Sequence, residues 1–116
     1  MIFNKVSIIG CGLIGSSILK NLNNKEICKS VTVYDKSKNV IDIIKKENLC
    51  EKIANDVPSA IKESDFVILC VPLSSYKEIL LAGKDFFKKD VIVTDTGSVK
   101  KEVNKIFENL NLKNVS

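Results

Sequence analysis

Short apolar runs recur along the chain, and most are followed by a stretch whose apolar positions fall at helical spacing. Val6-Ser7-Ile8-Ile9 is the first run, rich in β-branched residues and closed by Gly10, and it reads as a buried strand. Leu13, Ile14, Ser17, Ile18 and Leu22 then share one helical face, and Asn23-Asn24-Lys25 ends that helix. Val31-Thr32-Val33-Tyr34 is a second strand, stopped by Asp35, and Ser37 opens a helix with Val40, Ile41, Ile44 and Leu49 inward. Lys52-Ile53-Ala54 is a weak third strand. Pro58 suits a first helical turn, so Pro58–Glu63 is a short helix. Phe66-Val67-Ile68-Leu69-Cys70-Val71 is the clearest strand and ends at Pro72. Ser75-Tyr76-Lys77-Glu78 has the form of a capping box opening a helix to about Phe87. Val91-Ile92-Val93-Thr94 is a fifth strand, a helix follows from Val99 to about Asn109, and Asn114-Val115-Ser116 reads as the entry to a sixth strand.

Strands alternate with helices, and the best strands are continuous apolar runs rather than alternating ones. That is the pattern of a parallel sheet covered on both faces. The expected fold is α/β, a doubly wound parallel sheet of the Rossmann dinucleotide-binding type, with strand order 3-2-1-4-5 and a truncated sixth strand. Residues 1–116 form one domain, with no repeat or linker to divide it.

Composition narrows the chemistry. With 45% hydrophobic and 28% charged residues and a net charge of +4, the chain has a core and is not disordered. No apolar run approaches the roughly 20 residues of a membrane span, and the start lacks the layout of a signal peptide. All 18 basic residues are lysines, scattered among acids and asparagines without an aromatic or arginine cluster, which argues against nucleic-acid binding. There is no histidine and no arginine. The chain therefore lacks the usual general base at neutral pH and the planar fork that grips carboxylates. Cys11, Cys28, Cys50 and Cys70 form no metal-knuckle spacing, so no metal is expected; reduced thiols and a cytoplasmic location are.

The informative motif is Gly10-Cys11-Gly12-Leu13-Ile14-Gly15. Such a glycine pattern alone is weak evidence. Here it leaves a strand, opens a helix, and has an acid, Asp35, at the end of the second strand, 20 residues past Gly15. Gly10 makes the tight turn, Gly12 lets backbone approach a pyrophosphate, and Gly15 allows close packing of helix on sheet. The helix start offers N–H groups to phosphate, and Asp35 can accept from the ribose hydroxyls of adenosine. The bland alternative is that the glycines serve turn and packing only. A carboxylate at position 35 favours NAD over NADP, although Lys36 and Lys38 offset part of the repulsion of a 2′-phosphate.

Two more segments belong at the same sheet edge. Cys70-Val71-Pro72-Leu73 ends the fourth strand at the switch point, where it would border a dinucleotide. Thr94-Asp95-Thr96-Gly97-Ser98-Val99-Lys100 follows the fifth, with Gly97 permitting a turn and Ser98 either capping a helix or donating to a ligand.

With these blocks in register, the chain resembles the prephenate/arogenate dehydrogenase family. The resemblance rests on residues 6–17, 33–37, 64–72 and 93–100, the last being the most diagnostic. It implies oxidation of prephenate or arogenate, coupled to loss of carbon dioxide, in tyrosine biosynthesis. It assigns Gly10, Gly12, Gly15 and Asp35 to the dinucleotide, with Cys11, Leu13, Ile14, Lys36, Cys70, Val71, Pro72, Leu73 and Gly97 lining its site, and makes Ser98 the active-site serine. In that family the catalytic histidine, the substrate-binding arginine and the dimer contacts belong to segments beyond this one. The expectation is therefore a cofactor-binding half, inactive alone. Alternatives are a nucleotide-sensing regulatory module or the cofactor domain of another dehydrogenase, such as a 3-hydroxyacid dehydrogenase. An unblunted fifth strand further suggests self-association into a homo-oligomer.

Overall fold

A computed structural model describes residues 3–10, 12, 18–20, 22, 28–50 and 52–95. The elements are β1 (Phe3–Ile9), β2 (Cys28–Tyr34), α1 (Lys38–Lys46), β3 (Lys52–Ile53), α2 (Val57–Ile61), β4 (Phe66–Leu69), a 3-10 turn (Leu73–Ser75), α3 (Tyr76–Gly83) and β5 (Ile92–Asp95). Residues 18–20 and 22 are helical, as the apolar spacing after β1 implies. The other residues of that expected helix, the segment carrying Gly97 and Ser98, the expected helix from Val99 and the expected sixth-strand entry lie outside the described residues.

The strands form a five-stranded parallel sheet in the order β3-β2-β1-β4-β5, which is the expected doubly wound topology. Successive residues of each strand point to opposite faces. Ile9, Val67, Leu69, Val91 and Val93 pack with α2 and α3, whereas Ile8 and Val33 pack with Leu19 and Ile44 of α1 on the other face. Both faces are thus dry, which is why the strands read as unbroken apolar runs. Among the buried polar groups, the hydroxyls of Ser7 and Ser64 bond to each other and to Ala60 O, tying β1 to α2.

Several boundaries differ from the sequence reading. β1 starts at Phe3, whose ring meets Phe66 edge-on at 4.8 Å, and β2 starts at Cys28 because Phe3 and Cys28 are in register. The Asp65 carboxylate secures that early start. It accepts from Asn4 N–H at 2.7 Å, from Lys5 N–H at 3.4 Å and from the Lys88 ammonium. α2 begins one residue before Pro58, capped by Asp56, which accepts from Ser59 N–H at 2.8 Å. β4 stops at Leu69, two residues early, and β5 is displaced by one so that Asp95 belongs to the strand.

The capping box does not form. Ser75 has helical φ and ψ of −93° and −9° and makes no side-chain cap bond. A true cap is extended so that its oxygen can reach back to the helix N–H groups. Ser75 instead ends the 3-10 turn, with its N–H donating to Pro72 O at 2.9 Å. α3 also ends at Gly83, four residues short of Phe87.

Candidate dinucleotide site

The carboxyl ends of β1, β2 and β4 surround a cavity of about 440 Å³. This is the crevice where ligands bind in doubly wound sheets, at the point where strand order reverses on either side of β1. Its floor is Ile9, Gly10 and Gly12. The β2 end contributes Tyr34, Asp35 and Lys36, and the β4 end Cys70, Val71 and Pro72.

Gly10 turns the chain sharply. Its φ is +83°, its N–H donates to Tyr34 O at 2.7 Å, and Cys70 N–H donates to Ile9 O at 2.8 Å beside it. These bonds draw the three strand ends together. Gly12 is exposed, and a Cβ placed on it would meet no atom of the described residues within 4 Å. The space over Gly12 is therefore open to a group approaching the backbone from outside, as a pyrophosphate must.

Asp35 is half-buried at the tip of β2. Its Oδ1 accepts from Ser37 N–H at 2.8 Å, and Ser37 Oγ in turn accepts from Val40 N–H at 3.4 Å as the cap of α1. The chain Asp35–Ser37–Val40 thus fixes the carboxylate against the helix that follows. A carboxylate offers about four acceptor positions, so the Ser37 bond does not by itself exhaust this one.

Gly10, Gly12, Asp35, Lys36, Cys70, Val71 and Pro72 are therefore brought to one cavity, as the sequence implies. Leu73 opens the 3-10 turn just beyond. Cys11, Leu13, Ile14, Gly15, Gly97 and Ser98 lie outside the described residues. The opposite wall was not foreseen. It comes from the start of α2, Asp56, Val57 and Pro58, and from one face of α3, Ser75, Glu78, Ile79 and Ala82. Spacings of three, four and seven along α3 mark a single helical face, a pattern available in the sequence but masked by the reading of Ser75 and Glu78 as a cap.

The lining is apolar in its middle and acidic at its rim. Among the described residues, the lining carries three carboxylates, Asp35, Asp56 and Glu78, and one ammonium, Lys36. Hydrogen bonds from Ser59 hold the Asp56 carboxyl below the usual carboxylate range. At the end of β5, Asp95 is 9% exposed, and neither carboxylate oxygen has a hydrogen-bond partner among the described residues. It is a polar point in the otherwise apolar layer under α3.

Among the described residues, no group of three His, Cys, Asp or Glu is placed to hold a metal, and no helix is long and apolar enough to cross a membrane. Cys28, Cys50 and Cys70 carry thiols. The Cys50 thiol donates to Val31 O or Lys52 O, and burial pushes the Cys28 thiol up.

A parallel sheet in this order, with a glycine turn and an acid at the switch point, defines a dinucleotide-binding domain of the Rossmann class. The comparisons make the class specific. The family model described as "Prephenate dehydrogenase, nucleotide-binding domain" matches residues 18–115, and the chain belongs to that family. The cyclohexadienyl dehydrogenase of Zymomonas mobilis is 43% identical over 109 residues, covering 92% of this chain and 36% of that protein. The prephenate dehydrogenase of Lactococcus lactis is 35% identical over 100 residues, covering 85% of this chain and 28% of that protein. The chain thus spans about a third of the length of the curated relatives it matches. Among solved structures, prephenate dehydrogenase from A. aeolicus in complex with hydroxyphenyl propionate and NAD+ superposes with a TM-score of 0.83 at 27% identity, over 97% of this chain and 40% of that one. Synechocystis arogenate dehydrogenase shares the fold, with a TM-score of 0.79 at 21% identity over 91% of this chain and 37% of that one.

Proposed function

We propose that residues 1–116 act as the NAD-binding domain of a dehydrogenase that oxidises prephenate or arogenate with loss of carbon dioxide. NAD, when bound, accepts the hydride. Gly10 and Gly12 shape the approach of the pyrophosphate, together with Cys11, Leu13, Ile14 and Gly15. Asp35 accepts from the adenosine ribose. Val71 and Pro72 flank the adenine, and Gly97 and Ser98 serve the nicotinamide end and the substrate. The observation that carries this reading is the half-buried Asp35, anchored by Ser37 at the mouth of a cavity floored by Gly10 and Gly12.

The acidic rim extends the argument for NAD. A 2′-phosphate beside Asp35 would enter a cavity whose described lining carries three carboxylates, Asp35, Asp56 and Glu78, against one ammonium, Lys36. A chain without histidine or arginine has no obvious means of proton transfer or of gripping substrate carboxylates, so no prephenate turnover is expected from it alone. Calorimetric titration with both cofactors tests the reading. NAD should bind more tightly than NADP, and Asp35→Ala should cost about 1.5–3 kcal/mol of NAD affinity, the range for hydrogen bonds to a charged group. Equal or tighter NADP binding contradicts the assignment of Asp35.

A further inference from the structure

Glu78 is a carboxylate whose structural employment has been taken away. In a capping box the residue three after the cap reaches back to the cap's N–H. Here that donor, Ser75 N–H, is already bonded to Pro72 O at 2.9 Å, and Ser75 makes no cap bond in return. Glu78 lies between Ser75 and Ile79 on the face of α3 that lines the cavity. The other two acids of the rim are engaged. Asp35 holds Ser37 N–H, and Asp56 holds Ser59 N–H as the cap of α2.

The surroundings of Glu78 fit a flat heterocycle. Val71, Pro72, Ile79 and Ala82 supply apolar surface on the β4 and α3 side, across from Asp35, which would take the ribose. A base held between them presents its edge to the start of α3. The donor on the six-membered ring of adenine is its exocyclic amino group, and a carboxylate is a pure acceptor.

We propose that Glu78 sets base specificity by accepting a hydrogen bond from the adenine amino group of the bound dinucleotide, an inference that rests on the dinucleotide reading above. Replacing that amino group by a carbonyl, as in hypoxanthine, turns donor into acceptor and sets oxygen against carboxylate. The unmet bond and the repulsion both disfavour the analogue.

The test is a titration of the chain with NAD and with nicotinamide hypoxanthine dinucleotide, for the native protein, Glu78→Gln and Asp56→Asn. The native chain should prefer NAD by about tenfold. Glu78→Gln should bring the two ligands within about threefold, because an amide can accept or donate. Asp56→Asn should keep the preference. An acid in the first turn also favours a helix through its dipole, but that role would not alter a ratio between two ligands. Native protein that binds both dinucleotides alike, or a preference that survives in Glu78→Gln, overturns the inference and leaves the dinucleotide reading standing. Native protein that binds neither overturns both.

Discussion

The Val71 side chain occupies the space beside Gly10 so closely that a Cβ on Gly10 would lie 2.5 Å from Val71 Cγ1 and 2.8 Å from Cys70 O. The turn out of β1 and the end of β4 are therefore built against each other. Gly10 also has φ +83°, where an L side chain is strained.

Gly10→Ala should lower stability by roughly 1–3 kcal/mol in denaturant unfolding, from strain and overlap together. Adding Val71→Ala should recover only part of the loss, because the Cys70 carbonyl stays in place. A fully stable Gly10→Ala protein would show that the two strand ends are less tightly joined than described.

Gly12 behaves oppositely. A Cβ there meets no atom of the described residues within 4 Å, so Gly12→Ala should fold with stability within about 0.5 kcal/mol of native. Its NAD affinity should nonetheless fall by roughly tenfold or more, about 1.4 kcal/mol, as the methyl intrudes on the phosphate approach. Unchanged binding, measured beside unchanged unfolding, would remove Gly12 from the site.

Asp65 couples stability to acid. The Lys88 ammonium and then Asn4 N–H hold its carboxyl below the ordinary carboxylate range. Its folded pKa lies under its unfolded value of about 3.9, so the stabilisation is present above that pH and is lost as pH falls through the folded value. Unfolding free energy should decline below about pH 4. Asp65→Asn should shallow that decline without abolishing it, since Asp56 shifts in the same direction. An acid limb identical in the variant would contradict the role of Asp65 at the amino ends of β1, β4 and β5.

Among the described residues β5 is the outermost strand beside β4, and it carries Ile92 at 37% exposure. An outer strand with an exposed apolar side chain and neither lysine nor proline offers its edge to partners. Sedimentation should show association that grows with concentration and weakens in Ile92→Lys. A clean monomer at high micromolar concentration would refute strand-edge pairing.

The sheet was legible because burial on both faces demands unbroken apolar runs, and Val31–Tyr34 and Phe66–Leu69 fall where such runs stand. The outer ends were not. Asn4, Lys5, Lys29 and Ser30 look like loop because their strand conformation comes from main-chain pairing and from Asp65, sixty residues away in sequence. That the glycine turn, Asp35 and the β4 end meet at one cavity was legible because local geometry ties each to one sheet edge. The wall formed by α2 and α3 was legible only in part: Ser75, Glu78, Ile79 and Ala82 share a helical face in the sequence, but that this face and the start of α2 close over the same edge depends on packing between distant elements. The capping box misled because Pro72 O, an acceptor visible only in the folded turn, claims the donor that the motif needs.

The most direct test of the site is to follow backbone amide shifts of the labelled chain while NAD is added. The account predicts that the largest changes cluster at Gly10, Gly12, Asp35, Lys36, Val71 and the first turn of α3, with the strand starts near Asp65 unmoved. Changes centred elsewhere, or none at saturating NAD, would contradict it.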